Sequence, residues 1–148
     1  MGVMALIRRA TKDDFPQIIS LLKSFPEDPE IPDINWDDAQ TALPALLSEE
    51  HGLILVSEDN GVLAGLVTMS FPIVLRFGGE YALIEDFIVD ERFRGRGIGS
   101  PLLKSAFEEA RARGCRELQV NGASEIGKPV YIKNGLHEAG QHLKMFLR

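Results

Sequence analysis

The sequence predicts a mixed α/β fold in a single domain, and three patterns support this. Two apolar runs, Leu53 to Ser57 and Val62 to Phe71, flank Asn60-Gly61, the strongest short signal for a β-hairpin. A third run, Tyr81 to Val89, is apolar without Gly or Pro, apart from one carboxylate pair, and is typical of a buried strand. Glycines follow, and then apolar residues at helical spacing. Because 148 residues suit one core, we expect residues 1–148 to form one domain.

The N-terminal part predicts a strand and two helices around an acidic loop. Residues 5–9 read as the strand, and Thr11 is a suitable N-cap for a helix that ends near Phe25. A second helix is expected from about Asp37 to Ser48, strained at Pro44. From Phe25 to Glu50 there are eight acids and no Lys or Arg. This stretch is either a solvated surface or a lip that attracts a cationic acceptor.

The C-terminal half predicts a helix between two parallel strands. The helix after the glycines runs to about Arg113 and ends at Gly114, and the next strand is expected at residues 117–120. A broken helix should follow at residues 124–134, and a last hairpin should form from residues 136–139 and 142–147. The total is about seven mainly antiparallel strands and about four helices.

The loop before the third helix has the composition of an anion site. Gly95, Gly97 and Gly99 allow close approach of a ligand to the backbone N–H groups at the start of a helix. Arginines at positions 92, 94 and 96 make a diphosphate a better-matched guest than a carboxylate. The alternative is a glycine-rich turn on a solvated helix. A P-loop is excluded because no Gly-Lys-Ser/Thr follows, and a dinucleotide fingerprint is disfavoured because Ser100 stands at its third glycine.

Two motifs resemble those of a known family. Arg94-Gly95-Arg96-Gly97-Ile98-Gly99 is similar to the R/Q-x-x-G-x-G/A motif of the GNAT superfamily of acyl-CoA-dependent N-acyltransferases. Tyr131-Ile132-Lys133-Asn134-Gly135-Leu136 resembles the Y-x-x-x-G-F element of the same family, with Leu136 in place of Phe. The motifs occur in the family's order, and the resemblance runs from Ile7 to the C-terminus.

The resemblance implies a GNAT-type fold with acetyl-CoA as co-substrate and no metal. In such a fold the central strand and the next one splay apart, and the pantetheine arm lies in the gap. The backbone of Phe87, Ile88 and Val89 would hydrogen-bond that arm. The family often has Asn and Ala where this sequence has Ser124 and Gly127, and Asn121, just past its strand, is the candidate to replace their coenzyme contacts. The diphosphate would be held by Arg94 and Arg96 and by the loop N–H groups, which belong to Gly95, Arg96, Gly97, Ile98, Gly99 and Ser100.

Two side chains are candidates for the acetyl transfer itself. Glu85 and Asp86 form a carboxylate pair in an apolar strand, where desolvation would raise a carboxyl pKa toward that of a general base. Alternation groups Glu85 with Leu83 and Phe87, and Asp86 with Ile84 and Ile88. Glu85 is either this base or an ion-pair partner of a nearby arginine. The resemblance implies that Tyr131 protonates the departing thiolate, and the alternative is a core tyrosine.

Composition limits the partners of this protein. A net charge of −6 argues against nucleic acid, and residues 1–7 are too short an apolar stretch to span a membrane. One cysteine excludes an intramolecular disulfide, and no residue spacing suggests a metal site. We therefore expect a cytoplasmic protein, and the exposed edges of so small a sheet suggest a homodimer.

The function expected from the resemblance is N-acetyl transfer. A primary amine would attack acetyl-CoA directly, through a tetrahedral intermediate. A small amine or polyamine is the favoured acceptor, because the residues around the central motif look similar to those of polyamine acetyltransferases. The alternative is a non-catalytic acyl-CoA-binding sensor.

Overall fold

The computed structural model describes residues 5–25 and 34–147. Within them lie seven β-strands and four α-helices, as expected from the sequence. In chain order they are β1 (Leu6–Arg9), α1 (Phe15–Lys23), α2 (Ala39–Leu47), β2 (Gly52–Asp59), β3 (Val62–Ser70), β4 (Ile73–Val74), β5 (Gly79–Glu80), β6 (Ala82–Val89), α3 (Gly99–Arg113), β7 (Leu118–Val120) and α4 (Lys128–Lys133).

Five strands form the main sheet, in the order β1-β2-β3-β6-β7. The first four are antiparallel to their neighbours, and β7 runs parallel to β6 because α3 crosses between them. Strands β4 and β5 form a separate two-stranded pair. The turn between β2 and β3 has positive φ at both Asn60 (49°) and Gly61 (81°), so the predicted Asn-Gly hairpin is confirmed.

Helices cover both faces of the main sheet. One core lies beneath α3 and includes Val67, Ile84, Leu102 and Tyr131. The other lies beneath α1 and α2 and is built from residues such as Ile18, Leu43, Val56, Leu66 and Ile88. This two-sided burial explains why the central strands are apolar on both faces.

A β-bulge interrupts β6 at Glu85. Thr68 pairs with Asp86 whereas Met69 pairs with Ile84, so Glu85 has no partner in β3. The extra residue changes which side chains share a face. Phe87 joins Ile84 in the core beneath α3, so strict alternation wrongly grouped Phe87 with Leu83 and Glu85.

Strands β6 and β7 are paired over only part of their length. Their register covers Ala82 to Ile84 opposite Leu118 to Val120. Beyond Ile84, β6 continues to Val89 with β3 on one side only. The expected separation of the central strands is therefore present, and it begins at the bulge.

One prediction about the C-terminus was wrong. Residues 136–147 form no strand, and Leu143, Met145 and Leu147 are each more than three-quarters exposed. Apolar alternation alone suggested strands, but strands need a paired neighbour. Strands β4 and β5, and not a C-terminal hairpin, complete the count of seven strands. Much of the acidic stretch, residues 26–33, lies outside the described part of the chain.

Candidate functional site

The loop between β6 and α3 is an open backbone cradle. Gly95 and Gly97 have φ values of 75° and 77°, which side-chain-bearing residues rarely adopt. No atom lies within 4 Å of the position that a Cβ would take at either glycine. Ile98 is buried and anchors the loop, and Gly99 is the first residue of α3. The loop therefore leaves its backbone N–H groups accessible at the positive end of the helix dipole.

The three arginines of the loop have different partners. Arg92 donates from its guanidinium to both oxygens of Asp90, and this pairing lowers the pKa of the Asp90 carboxyl. Arg94 donates to the backbone carbonyl of Val89. Arg96 lies over the ring of Phe93, with its guanidinium carbon 5.8 Å from the ring centroid. Arg94 and Arg96 are exposed, so their charges are available to an anion at the loop.

A cavity of about 220 Å³ joins this loop to the unpaired end of β6. It contains many of the residues predicted to hold the coenzyme, together with Gly127 and Val130 near α4. The predicted residues on its wall are Phe87, Ile88, Val89, Arg94, Gly95, Ile98 and Gly99. The open glycines and the unpaired strand therefore fit a ligand with a diphosphate and an extended, hydrogen-bonding arm.

Tyr131 lies on α4 beside this cavity. Its side chain is buried, with its ring centroid 5.4 Å from that of Phe87. Burial, together with the nearby Asp86 charge, raises the pKa of the Tyr131 phenol well above its ordinary value. The phenol therefore stays protonated at neutral pH, as a proton donor must. A Cβ at Gly127 would lie only 3.3 Å from the Tyr131 ring, so close packing with this glycine holds the ring in place.

The two carboxylates at the bulge have opposite environments. Glu85 is exposed and accepts a hydrogen bond of 2.9 Å from the Ser70 hydroxyl. Burial instead raises the pKa of Asp86, which accepts a hydrogen bond of 2.6 Å from Thr68. The desolvation that we expected at Glu85 is thus found at its neighbour, because the bulge pushes Glu85 out of the strand. Sequence reasoning missed the two hydroxyl partners on β3.

Asn121 lies on another cavity, of about 900 Å³, beside β7. Tyr131 also lines this cavity, whereas the glycine loop does not. Val130 lines the smaller cavity and Tyr131 the larger one, so neighbouring residues of α4 contact different cavities. The structure brings Asn121 to the same cavity as Tyr131, and it places Glu85 in neither.

Asn134, just past α4, makes a contact that the sequence did not reveal. Its side-chain amide donates to the Ser100 hydroxyl at 3.1 Å and to the Val130 carbonyl at 2.8 Å. The first bond joins the end of α4 to the first turn of α3. Asn134 lies within the second motif and Ser100 directly follows the first, but no local pattern indicates that they meet.

A metal site does not emerge from residues 5–25 and 34–147. They contain no group of three or more His, Cys, Asp or Glu side chains placed to hold a metal ion. Over the same residues, no helix is both long and apolar enough to cross a membrane.

Comparison with known families decides the assignment. The model of the Acetyltransferase (GNAT) family matches residues 6–131, most of the chain. This chain belongs to the GNAT acetyltransferase family. The resemblance expected from the two motifs is confirmed, and acetyl-CoA is the co-substrate of the family.

Two curated relatives come from Oryza sativa subsp. japonica. Glucosamine 6-phosphate N-acetyltransferase 1 is 32% identical over 106 residues, covering 69% of this chain and 62% of that protein. Probable glucosamine 6-phosphate N-acetyltransferase 2 is 28% identical over 98% of this chain and 89% of that protein. The GNAT chain described here therefore spans less than two thirds of the first relative.

A solved structure has the same GNAT fold. Glucosamine-6-phosphate N-acetyltransferase from Arabidopsis thaliana aligns with a TM-score of 0.80 at 21% identity, covering 98% of this chain and 99% of the other. At this identity the likeness establishes the fold alone. The expected GNAT-type fold is thus confirmed.

Proposed function

We propose that this protein transfers an acetyl group from acetyl-CoA to a primary amine of a small molecule. The observation that carries the proposal is the open end of β6. Past Ile84 this strand has lost its partner β7, and it leads directly to the glycine loop. The extended acyl-carrying arm of the coenzyme would bind along the open end of β6, and its diphosphate would bind at the adjacent glycine loop.

The predicted coenzyme residues divide into two groups by their chemistry. Phe87 and Val89 offer backbone hydrogen-bonding groups along the gap, whereas those of Ile88 face β3, as do those of Asp90, whose N–H donates to Ala64. Backbone N–H groups from Gly95 to Ser100, with the charges of Arg94 and Arg96, suit a diphosphate. Val89 contributes through its N–H group, because its carbonyl already accepts from Arg94.

Proton transfer is assigned to Glu85 and Tyr131. The amine nitrogen bonds to the thioester carbon as the carbon–sulfur bond breaks, so the amine must lose a proton and the thiolate must gain one. Glu85 takes the first proton through water, because its exposed carboxylate can reach solvent at the bulge. Tyr131 donates the second from its buried phenol, next to Val130 on the wall of the cavity. Asp86, which is half-buried and accepts from Thr68, has no part in this transfer.

An amino sugar phosphate is the first acceptor to test. Both Oryza relatives are named for glucosamine 6-phosphate, which makes an amino sugar phosphate the first choice. A cationic polyamine is the second acceptor to test, because its charge would complement the acidic stretch between Phe25 and Glu50. Within that stretch Glu49 already pairs with Arg9, which reduces the free negative charge. A cytoplasmic location and a homodimer stay predictions from the sequence.

The direct test of the proposed function has two stages. Thermal unfolding with acetyl-CoA at a hundred times its dissociation constant should show stabilisation by about 2.7 kcal/mol, and NADH or ATP should show none. Thiol release is then measured with glucosamine 6-phosphate, spermidine, an aminoglycoside and a lysine peptide. Stabilisation by a nucleotide alone would refute the assignment of the glycine loop.

A non-catalytic acyl-CoA sensor is the second candidate, because the glycine loop by itself only binds. The variant Tyr131→Phe separates the two functions. An enzyme should lose about 10²-fold or more in turnover while its affinity for acetyl-CoA is unchanged, since general-acid catalysis is worth this much. A sensor would show no thiol release with any amine before or after the substitution.

A further inference from the structure

Asn134 joins the two halves of the candidate site. Its amide nitrogen must be the atom that contacts the Val130 oxygen, because a carbonyl can only accept. The same nitrogen donates to the Ser100 hydroxyl. One side chain thus closes the end of the helix that carries Tyr131 and ties it to the first turn of the helix that begins at the glycine loop.

Apolar packing runs beside this hydrogen bond. A Cβ at Gly99 would lie 3.4 Å from the Phe87 ring and 3.7 Å from a methyl group of Val130. Phe87 in turn packs on the Tyr131 ring. The start of α3, the open end of β6 and helix α4 are therefore in direct contact. Asn134 to Ser100 is the side-chain hydrogen bond between the two helices among the described residues.

Helix α4 needs such a tie. It has only six residues, too few for an isolated helix to be stable in water. Its last turn is closed by the backbone and side chain of Asn134. The position of Tyr131 therefore depends on how α4 is fixed to its neighbours.

We propose that Asn134 is a positioning residue that couples the diphosphate-binding loop to Tyr131 through Ser100. This inference rests on the proposed function for the role of Tyr131. When the glycine loop closes on a diphosphate, the first turn of α3 becomes fixed, and the Asn134 bond fixes α4 with it. Binding energy from the remote end of the coenzyme is then used to place the phenol at the thioester.

Two thioesters test the coupling by activity. Acetyl-CoA carries the diphosphate, whereas S-acetylpantetheine ends before it. In Asn134→Ala, turnover of acetyl-CoA should fall about tenfold and turnover of S-acetylpantetheine less than twofold. Only acetyl-CoA binds the glycine loop through a diphosphate, so only its turnover depends on the coupling that places Tyr131. Equal losses with both thioesters would mean a structural role only and would overturn the proposal.

Ser100→Ala isolates the bond between the helices. It removes the hydroxyl but keeps the backbone N–H group and the Asn134 bond to Val130. The double variant should lose no more than Asn134→Ala alone, since Asn134→Ala already removes the bond to Ser100. Losses that multiply would show that Ser100 contacts the diphosphate independently. Lys133→Ala is the matched control, because this neighbouring side chain is exposed. Its removal should leave the ratio of acetyl-CoA turnover to S-acetylpantetheine turnover unchanged.

A second measurement needs no catalysis. The chain has two tyrosines, so 3-fluorotyrosine labelling gives two fluorine resonances, and Tyr81→Phe assigns them. Adenosine 3′-phosphate 5′-diphosphate, the nucleotide end of the coenzyme, should shift the Tyr131 resonance in the wild type. In Asn134→Ala the nucleotide should still bind by calorimetry without shifting that resonance.

The outcomes separate this inference from the proposed function. If no amine is acetylated, the proposed function fails, and the fluorine measurement decides the coupling alone. If acetylation occurs but Asn134→Ala shifts the Tyr131 resonance as the wild type does, the coupling is refuted and the proposed function stands. Unfolding curves of every variant establish that each one is folded.

Discussion

The two halves of β6 differ in what surrounds them. Before the bulge, Leu83 and Ile84 are paired with β3 on one edge and with β7 on the other. From Asp86 to Val89 it is paired with β3 alone, and its other edge faces the gap beside the glycine loop. The bulge at Glu85 divides the two halves.

This contrast shows how one strand serves both stability and function. A doubly paired, buried segment satisfies its backbone within the sheet and has nothing to offer a ligand. A singly paired segment keeps backbone donors and acceptors for a guest. We therefore expect substitutions in the first half to lower stability and those around the second half to lower binding or turnover.

Ile84→Ala should have the largest effect on stability. Its side chain is 2% exposed, and removing a buried branched side chain from a core costs about 3 kcal/mol. Urea unfolding measures this loss. The dissociation constant for acetyl-CoA at a temperature where the variant is folded should stay within about twofold of wild type, because Ile84 lines neither cavity. A much weaker affinity would contradict the division at the bulge.

Gly97→Ala should affect both properties. Its φ of 77° costs a side-chain-bearing residue about 1–2 kcal/mol, and this strain should change the loop and weaken acetyl-CoA binding. Calorimetry measures the affinity and urea unfolding measures the stability. Gly79→Ala is the control, because its position is equally open but its φ is not in the left-handed region. Equal effects of the two substitutions would rule out strain as the cause.

Asp86→Asn should change how stability depends on pH. Burial raises the pKa of Asp86 in the folded state, so the unfolded chain ionises first as pH rises above about 3.8. Wild type therefore loses stability relative to the variant from that pH upward through the folded-state pKa. At pH 7 the variant should be the more stable of the two, and the difference should disappear below about pH 3.8. A constant difference across pH would exclude ionisation of Asp86 as the cause.

Glu85→Gln should have the smallest effect on stability. The side chain is exposed, and its amide can still accept from Ser70, so the change should stay within about 0.5 kcal/mol. Turnover should nonetheless fall about 10²-fold if Glu85 relays the amine proton. The measurement is turnover against pH with saturating acetyl-CoA. Wild-type turnover in this variant would show that a group other than Glu85 acts as the base.

Local signals predicted the parts of the fold that depend on neighbouring residues. Asn60-Gly61 indicated the hairpin, and the glycines after Val89 indicated the open loop, because both need positive φ within a few residues. The bulge at Glu85 depends instead on pairing with β3, which lies some 15 residues earlier. The bond between Asn134 and Ser100 spans 34 residues. Contacts between residues far apart in the chain produce no local sequence pattern from which they could be predicted.

The bulge is equivalent to one residue inserted into a regular strand. If Glu85 is left out of the sequence, Ile84 is followed by Asp86, and strict alternation then places Ile84, Phe87 and Val89 on the face that each already occupies. The strand therefore corresponds to a regular one with a single codon inserted. That one codon sets a carboxylate at the surface and marks where two strands part, without moving any core side chain to the wrong face.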